Sequence, residues 1–402
     1  MPTLLQINTT LNRGSTGRIA EQVSTLAQNY GWDCYIAHGA RYINTSNHNT
    51  IKIGSKLGNI VHAILGEYWG LHGFGSTIAT YLFLRKVRKI KPDIIHLHNL
   101  HGYYLNIKLL FTFLARTNIP VVWTLHDCWA FTGHCTHFES NGCEKWKQEC
   151  GECPLLMAQY KSRIVDRSKK NWQLKQSLYR KLSNLTIIPV SSWLGNLVQQ
   201  SILCNHPINI INNGIDLSIF KPLKSDIREK FNIDSKKKII LGVVSSGFKG
   251  KKEFIALSKN TNYQIIIVGI KKEWTIDLPS NIICVSHTNN QLELAEFYSA
   301  ADLFLNPTNN DTFPTVNLEA LACGTPVVTY KAGGSPETLD KNTGISVNRG
   351  DIKALELAIE EILKNGKDAY SKHCRNRAEI YFNKDERFKD YINLYNSLLR
   401  KS

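Results

Sequence analysis

Short apolar runs alternate with helical segments along the whole chain, and this alternation limits the fold more than any other feature. Segments 3–7, 34–37, 94–97, 121–124 and 187–190 read as strands in the first half. Segments 239–244, 264–268, 282–285, 303–306 and 327–329 repeat the pattern in the second half. Strands this apolar, separated by helices, predict a parallel sheet covered on both faces. Two such sets predict an α/β chain of two doubly wound, Rossmann-like halves, and 402 residues is enough for both. The expected division is 1–188, 189–384 and a terminal helix over 385–402, with Phe388, Ile392, Tyr395 and Leu399 at helical spacing. Ligands of such folds bind outside the carboxyl ends of the strands, so two facing halves predict a cleft between domains.

Composition excludes some classes. Hydrophobic content of 43% and charged content of 20% suit a soluble globular protein. No apolar run reaches the ~18 residues of a membrane span. No basic segment followed by an apolar one opens the chain, so the expected location is cytoplasmic. The net charge of +16 asks for a partner. The run RKVRKIK at 85–91 holds five cations, Arg85, Lys86, Arg88, Lys89 and Lys91, after an apolar and aromatic stretch. It reads either as a face lying on an anionic membrane surface or as a solvated helix end. Nucleic acid is not expected, because no nucleic-acid module accompanies the charge.

The most informative stretch is DTFPTVNLEALACGTP at 311–326. Asp311 precedes a Phe313-Pro314 turn, and Glu319 lies in an apolar run, with Val316 and Leu318, that reads as a helix. Gly324 and Pro326 stop it. A loop feeding a helix N-terminus presents free N–H groups and the positive end of the dipole, which suits a phosphate. One acid before that point and one inside the helix suit a ligand with hydroxyls on both sides of a diphosphate, a nucleotide-sugar. An ordinary helix with two solvated acids fits the spacing equally well.

Together with Ala322-Cys-Gly-Thr-Pro-Val-Val and Gly333-Gly334-Ser335-Pro336-Glu337, the stretch resembles glycosyltransferase family 4, retaining enzymes of the GT-B fold. The resemblance covers nearly the whole chain and is strongest over 94–154 and 300–337. The family's acidic motif is Glu-x7-Glu, and here Asp311 takes the first place. That shortens the reach by one methylene and keeps the charge, so it bears on the donor sugar more than on the reaction. The resemblance implies that Glu319 takes the ribose hydroxyls. Asp311, with the backbone of Phe313, Pro314 and Thr315, takes the sugar hydroxyls, and Val316 also belongs to the donor site.

Asn12–Arg18 follows the first strand, and its glycines allow close backbone approach. Alone it is a turn. The resemblance places Gly14, Ser15, Thr16, Gly17 and Arg18 toward the donor phosphates. Lys249 would give the diphosphate a cation. An Arg usual in the family shortly before that Lys is replaced here by Val243, Val244, Ser245 and Ser246, so Arg18 is a substitute source of charge. Asn212-Asn213-Gly214-Ile215-Asp216 resembles a family segment at the cleft floor. His126 ends a strand and matches a functionally important family His, with Asp127 orienting it or meeting the acceptor. His98, Asn99, His101, Tyr104 and Asn106 suit an acceptor-binding wall better than a metal site.

The region 128–160 is rich in Cys, Trp, Gly and His. Cys135, Cys143, Cys150 and Cys153 allow a closed structural zinc site, with Cys128, His134 and His137 as alternative ligands. Free thiols and, in a reducing compartment less so, disulfides are the other readings. The insert resembles that of a subset making bacterial surface polysaccharides of the colanic-acid type, a class that includes lipopolysaccharide, O-antigen and capsule.

The reading is a retaining hexosyltransferase-type enzyme that moves a sugar from a nucleoside-diphosphate-sugar to a glycan or undecaprenyl-linked acceptor. It needs no cofactor for catalysis and sits peripherally on the inner face of the cytoplasmic membrane. A nucleotide-sugar epimerase or hydrolase of the same fold, and a non-catalytic carbohydrate-binding protein, are the alternatives.

Overall fold

The computed structural model describes residues 1–244 and 247–400. It contains two units, Met1–Asn212 with Phe388–Ser402, and Asn213–Arg387. The first holds strands β1 (Thr3–Asn8), β2 (Asp33–His38), β3 (Asn49–Lys52), β4 (Ile94–Leu97), β5 (Val121–Leu125) and β6 (Leu185–Pro189). They form one parallel sheet in the order β3-β2-β1-β4-β5-β6. The second holds β7 (Lys238–Val243), β8 (Tyr263–Val268), β9 (Ile282–Val285), β10 (Leu303–Asn306), β11 (Val327–Tyr330) and β12 (Gly344–Val347). Its order, β12-β11-β10-β7-β8-β9, is the same topology, again all parallel. Each unit therefore has a switch point between its first and fourth strands, where α/β sheets bind ligands.

Two strands carry no clear signal in the sequence. In β3 only Ile51 is buried, and β3 is an edge strand. β12 opens on Gly344, where a Cβ would lie 2.1 Å from the Val327 carbonyl oxygen. The domain boundary also falls later than 188. Ile187 N–H still donates to Pro207 O and Ile187 O accepts Asn209 N–H beside β6, and Leu194 and Val198 of helix Ser192–Gln199 are buried. Position 188 is thus strand interior, and the chain leaves the first unit only after Asn212.

The terminal helix, Lys384–Leu399, begins in the second unit and enters the first after Arg387. Its Phe388, Tyr391, Ile392 and Tyr395 are buried against Leu4, Ile94, Val122 and Ile188 of the first sheet. Each such side chain contributes about 1.5–3 kcal/mol by burial. The hydroxyls also serve the sheet's polar interior. Tyr395 donates to His96 Nδ1 at 2.6 Å, His96 Nε2–H donates to Thr124 at 2.8 Å, and Thr124 donates to Tyr391 at 3.0 Å.

The basic run lies on helix Thr77–Ile90, with Lys91 as its left-handed cap. Phe83, Leu84 and Val87 face inward. The cations do not share one face: Arg85, Lys86 and Lys89 line a cavity on one flank, while Arg88 and Lys91 line another. Among the described residues no helix is long and apolar enough to cross a membrane.

Burial holds several imidazoles of the first unit neutral. It lowers the pKa of His62 and His126 to about 4 and of His72 and His96 to about 3. Their ordinary value is about 6.5, so below that pH the unfolded chain takes up protons that the folded one refuses. Stability should be complete above about pH 6.5 and fall steadily toward pH 4, with each His costing about 1–2 kcal/mol by about pH 5. The second unit's two histidines, His287 and His373, are both exposed. Trp274 is the only tryptophan outside the first unit, so thermal unfolding followed by tryptophan fluorescence at about pH 7.5 and pH 5 reads it selectively. An unchanged midpoint would count against neutral buried imidazoles.

Candidate active site

In the first unit, neighbouring strands β1, β4 and β5 end in a cluster of polar side chains. His98 follows β4 directly and His126 follows β5. Gln6, inside β1, orients both. Its amide nitrogen donates to Ala20 O and Ser24 Oγ, each at 2.7 Å, which turns its oxygen toward His98 Nε2–H at 2.7 Å. His98 Nδ1 is then an acceptor, and His126 Nε2–H donates to it at 3.1 Å. The rings stack with centroids 5.4 Å apart. Burial lowers the His126 pKa to about 4 against the pull of Asp127, so the ring is a neutral imidazole in a fixed tautomer.

Asp127, expected to orient His126 or meet the acceptor, is hydrogen-bonded to His101. His101 Nε2–H donates to Asp127 Oδ2 at 2.7 Å, and the other carboxylate oxygen accepts the Trp129 N–H at 2.8 Å. Burial works to raise the Asp127 pKa, but His101, His137 and the backbone donor bring it down to about 2. Tyr160, from the Cys-rich insert, donates to His101 Nδ1 at 2.6 Å. The insert thus reaches the strand-end cluster through this phenol as well as through the Trp129 N–H.

Three residues expected in the acceptor wall have other work. Tyr104 is fully buried, with its hydroxyl on the Asn99 carbonyl at 2.8 Å, so its ring cannot stack on a sugar. Asn106 is the N-cap of helix Ile107–Leu114, accepting from Leu109 N–H at 3.2 Å and donating to Phe74 O at 2.8 Å. His98 is buried beneath His126 and positions it. Asn99 and His101 remain half-buried at the strand ends.

Gly14–Arg18 is the first turn of helix Gly14–Asn29, not a loop before it. Arg13 caps that helix without a side-chain hydrogen bond, and no acid lies in the first turn, so the positive end is open to an anion. Gly14 and Ser15 are exposed, while Thr16 and Arg18 are half-buried. Gly17 packs instead: a Cβ there would meet Thr10 Oγ1 at 2.7 Å.

In the second unit the loops after β7 and β10 meet. Gly250, at φ +80°, lies so close to Pro307 that a Cβ would come within 2.2 Å of its ring. That contact sets Lys249 beside the β10 loop, where its Nζ donates to Asn310 O at 2.9 Å. Asp311 follows. Its carbonyl accepts Gly334 N–H at 3.1 Å and its Oδ1 accepts Phe313 N–H at 3.3 Å. Pro314 opens helix Thr315–Ala322, which has no side-chain cap and no acid in its first turn. Glu319, inside the helix, is buried and accepts from Tyr298 at 2.9 Å. Phe313 is buried, and its carbonyl takes Asn213 Nδ2 at 3.2 Å, so its side chain anchors the loop. Asn317 joins β10 to the helix through Asn306 at 2.8 Å and Thr338 at 3.0 Å. Ser245 and Ser246, where the family's Arg is replaced, lie outside the described residues. Asp216 binds Lys384 at 2.6 Å, which makes its segment the anchor for the root of the terminal helix.

The insert is held by packing. Trp146 lies against Phe131 and Phe138 and takes Trp172 Nε1–H on its carbonyl at 3.0 Å. Lys175, buried, donates to Trp129 O and Thr132 O at 2.6 and 2.9 Å, and burial lowers its pKa to about 7. Cys135, Cys143, Cys150 and Cys153 are free thiols. Burial first, then the other three thiols, push Cys135 up, and Cys150 Sγ accepts Gly133 N–H at 3.3 Å. The alternatives Cys128 and His134 are also buried, His134 with its ring 5.0 Å from that of His72. As the side chains stand, no three His, Cys, Asp or Glu among the described residues are placed to hold a metal ion.

Twin switch-point sheets, strand-end histidines in one and a lysine beside an uncapped helix in the other fit the GT-B glycosyltransferase that the sequence resemblance implies. Comparison with known proteins agrees. Residues 31–219 match Glycosyltransferase Family 4 and residues 224–380 match Glycosyl transferases group 1. The chain belongs to this family of glycosyltransferases. It is 24% identical over 415 residues to a putative colanic acid biosynthesis glycosyl transferase, WcaC, of Escherichia coli, covering 98% of this chain and all of that one. Its fold matches sucrose-phosphate synthase from Thermosynechococcus elongatus with a TM-score of 0.77 at 18% identity, over the full length of both chains. It also matches Anabaena HepE in complex with UDP, with a TM-score of 0.66 at 15% identity, over 99% of this chain and 100% of that one.

Gln6, Tyr160, Tyr298 and Asn317 escaped the sequence reading. Gln6 does carry a signal, a polar residue inside an otherwise apolar buried strand. Tyr160 and Tyr298 carry none, because their partners are distant in sequence. If Asn106 is a cap, Asn106→Ala should lower stability by about 1 kcal/mol and leave acceptor KM unchanged. A raised KM at unchanged unfolding midpoint would restore it to the acceptor site.

Proposed function

We propose that the protein transfers a sugar from a nucleoside-diphosphate-sugar, with retention of anomeric configuration, to a lipid-linked glycan acceptor in bacterial surface-polysaccharide synthesis. The observation that carries this is the second unit's switch point, where Lys249, Asp311 and the uncapped start of helix Thr315–Ala322 lie on connected loops, with Glu319 buried behind them. Lys249 and the helix N–H groups stabilise the departing diphosphate, and fixed donors of this kind need no reorganisation as charge develops. Glu319 holds the ribose, and Asp311 the sugar hydroxyls. In the first unit, neutral His126 with its set tautomer hydrogen-bonds the transferring sugar. An oxygen of the leaving phosphate takes the acceptor's proton as the hydroxyl attacks from the same face. The complex of HepE with UDP supports a nucleotide donor, and the likeness to WcaC supports the polysaccharide setting. The cation-lined flanks of helix Thr77–Ile90 support a peripheral place on an anionic membrane.

Lys249→Ala and Glu319→Ala should each weaken binding of the nucleotide-sugar about tenfold or more, as loss of one charge-assisted contact implies. Calorimetry measures this, and proton NMR of the product should show the donor's anomeric configuration kept. Unchanged affinity in both variants would remove the site, and inversion would remove the mechanism.

We also propose zinc as a purely structural ion of the insert. Four thiols are a suitable donor set, though binding requires them to turn toward a common point. Metal analysis of the reduced protein should find about one zinc per chain. None would end the proposal, and the aromatic packing would then hold the insert alone.

A further inference from the structure

A cavity of the first unit lies apart from the strand-end cluster, between helix Lys56–Trp69 and helix Thr77–Ile90, with a volume of about 1000 Å³. That is at the upper end of the ~300–1,000 Å³ typical of small-molecule sites. Its walls are of two kinds. Leu57, Val61, Leu65, Ile78 and Leu82 supply hydrocarbon, and Ile78 is 76% exposed, Leu57 70%. Lys52, Arg85, Lys86 and Lys89 supply charge. No Asp or Glu lines the cavity, and among the described residues none of these four cations forms a salt bridge. Glu67 is the one acid between positions 49 and 92, and it is engaged by Arg163 at 2.6 Å.

An occupant complementary to both walls has a hydrocarbon body and an anionic head. Ile60 and Ile64 extend the exposed apolar face of helix Lys56–Trp69 beyond the groove, and the helix is too short to cross a bilayer. Such a helix lies in the plane of a membrane surface, which lets a lipid chain pass sideways into the groove without entering water. A free sugar or nucleotide would leave the apolar wall uncovered.

We infer that this groove binds a single phosphate-bearing lipid, with its hydrocarbon chain along Leu57, Val61, Ile78 and Leu82 and its phosphate on Arg85, Lys86 and Lys89. The inference rests on the reading of a lipid-linked acceptor and gives that acceptor's anchor a place in the first unit. The groove holds the lipid while the strand-end residues deal with the glycan.

The test uses the full chain and three probes: farnesyl phosphate, farnesol and inorganic phosphate. Farnesyl phosphate should bind saturably by calorimetry. Farnesol and inorganic phosphate should each bind about tenfold or more weakly, because each fills one wall only. The pair Ile78→Ser, Leu82→Ser and the pair Lys86→Gln, Lys89→Gln alter exposed positions and should each weaken farnesyl phosphate about tenfold, leaving nucleotide-sugar binding unchanged. Absence of saturable binding, farnesyl phosphate no tighter than inorganic phosphate, or indifference to both variant pairs would overturn the inference. So would a dimer in light scattering that the Ile78→Ser, Leu82→Ser pair dissolves, since a second copy would then fill the groove. Groove binding without glycosyl transfer from any nucleotide-sugar would refute the functional reading alone. Transfer to lipid acceptors that is unaffected by either pair would refute the groove alone.

Discussion

A parallel sheet buried on both faces cannot leave a polar side chain without a partner, and this constraint shapes the first unit. An unpaired buried donor or acceptor costs about 1–3 kcal/mol. Gln6, His96 and His98 all lie inside or at the end of buried strands. Gln6 is saturated by helix Gly14–Asn29 and by His98, and His98 passes the constraint to His126. His96 is satisfied by Tyr395 and Thr124, and Thr124 by Tyr391. The terminal helix is therefore more than a covering layer. Its two phenols complete the polar interior that lies next to the strand-end imidazoles, while the tautomer of His126 follows from the separate chain through Gln6 and His98.

The second unit repeats the topology but handles polarity differently. Its switch point presents an exposed Lys249 and an uncapped helix start. Glu319 is buried, but it is paired to Tyr298. The first unit hides neutral rings, and the second displays positive charge. The two units thus offer different chemistry on one scaffold, a neutral hydrogen-bonding surface and an anion site. Each unit also has one close glycine approach, Gly17 against Thr10 and Gly250 against Pro307.

The insert 128–160 adds a layer that neither sheet requires. Its Trp146 packs on Phe131 and Phe138 and takes the Nε1–H of Trp172 from helix Ser168–Tyr179 on its carbonyl, and Lys175 crosses to cap two of the insert's carbonyls. Tyr160 connects it to His101, and the Trp129 N–H binds Asp127 directly. A change in the insert can therefore reach the strand-end cluster through either contact.

The sequence by itself determined the fold class, the paired doubly wound halves, the family and the stretch 311–319, because these depend on local periodicity and on motifs contiguous in the chain. Strands of buried interior, such as 94–97 and 121–125, were legible as apolar runs. Strands β3 and β12 were not, because only Ile51 of β3 is buried and β12 opens on a glycine, so neither makes an apolar run. Only the tertiary structure decided what each polar residue near the motifs does. Asn106 and Tyr104 look like Asn99 and His101 in sequence. Packing makes the first a helix cap and the second a core residue, and leaves the other two at the surface of the cluster. The five cations of 85–91 are one run in sequence and two flanks in space, because a helix turns successive side chains about 100° apart. Burial and partnership are properties of contacts between distant segments, and no local pattern encodes them.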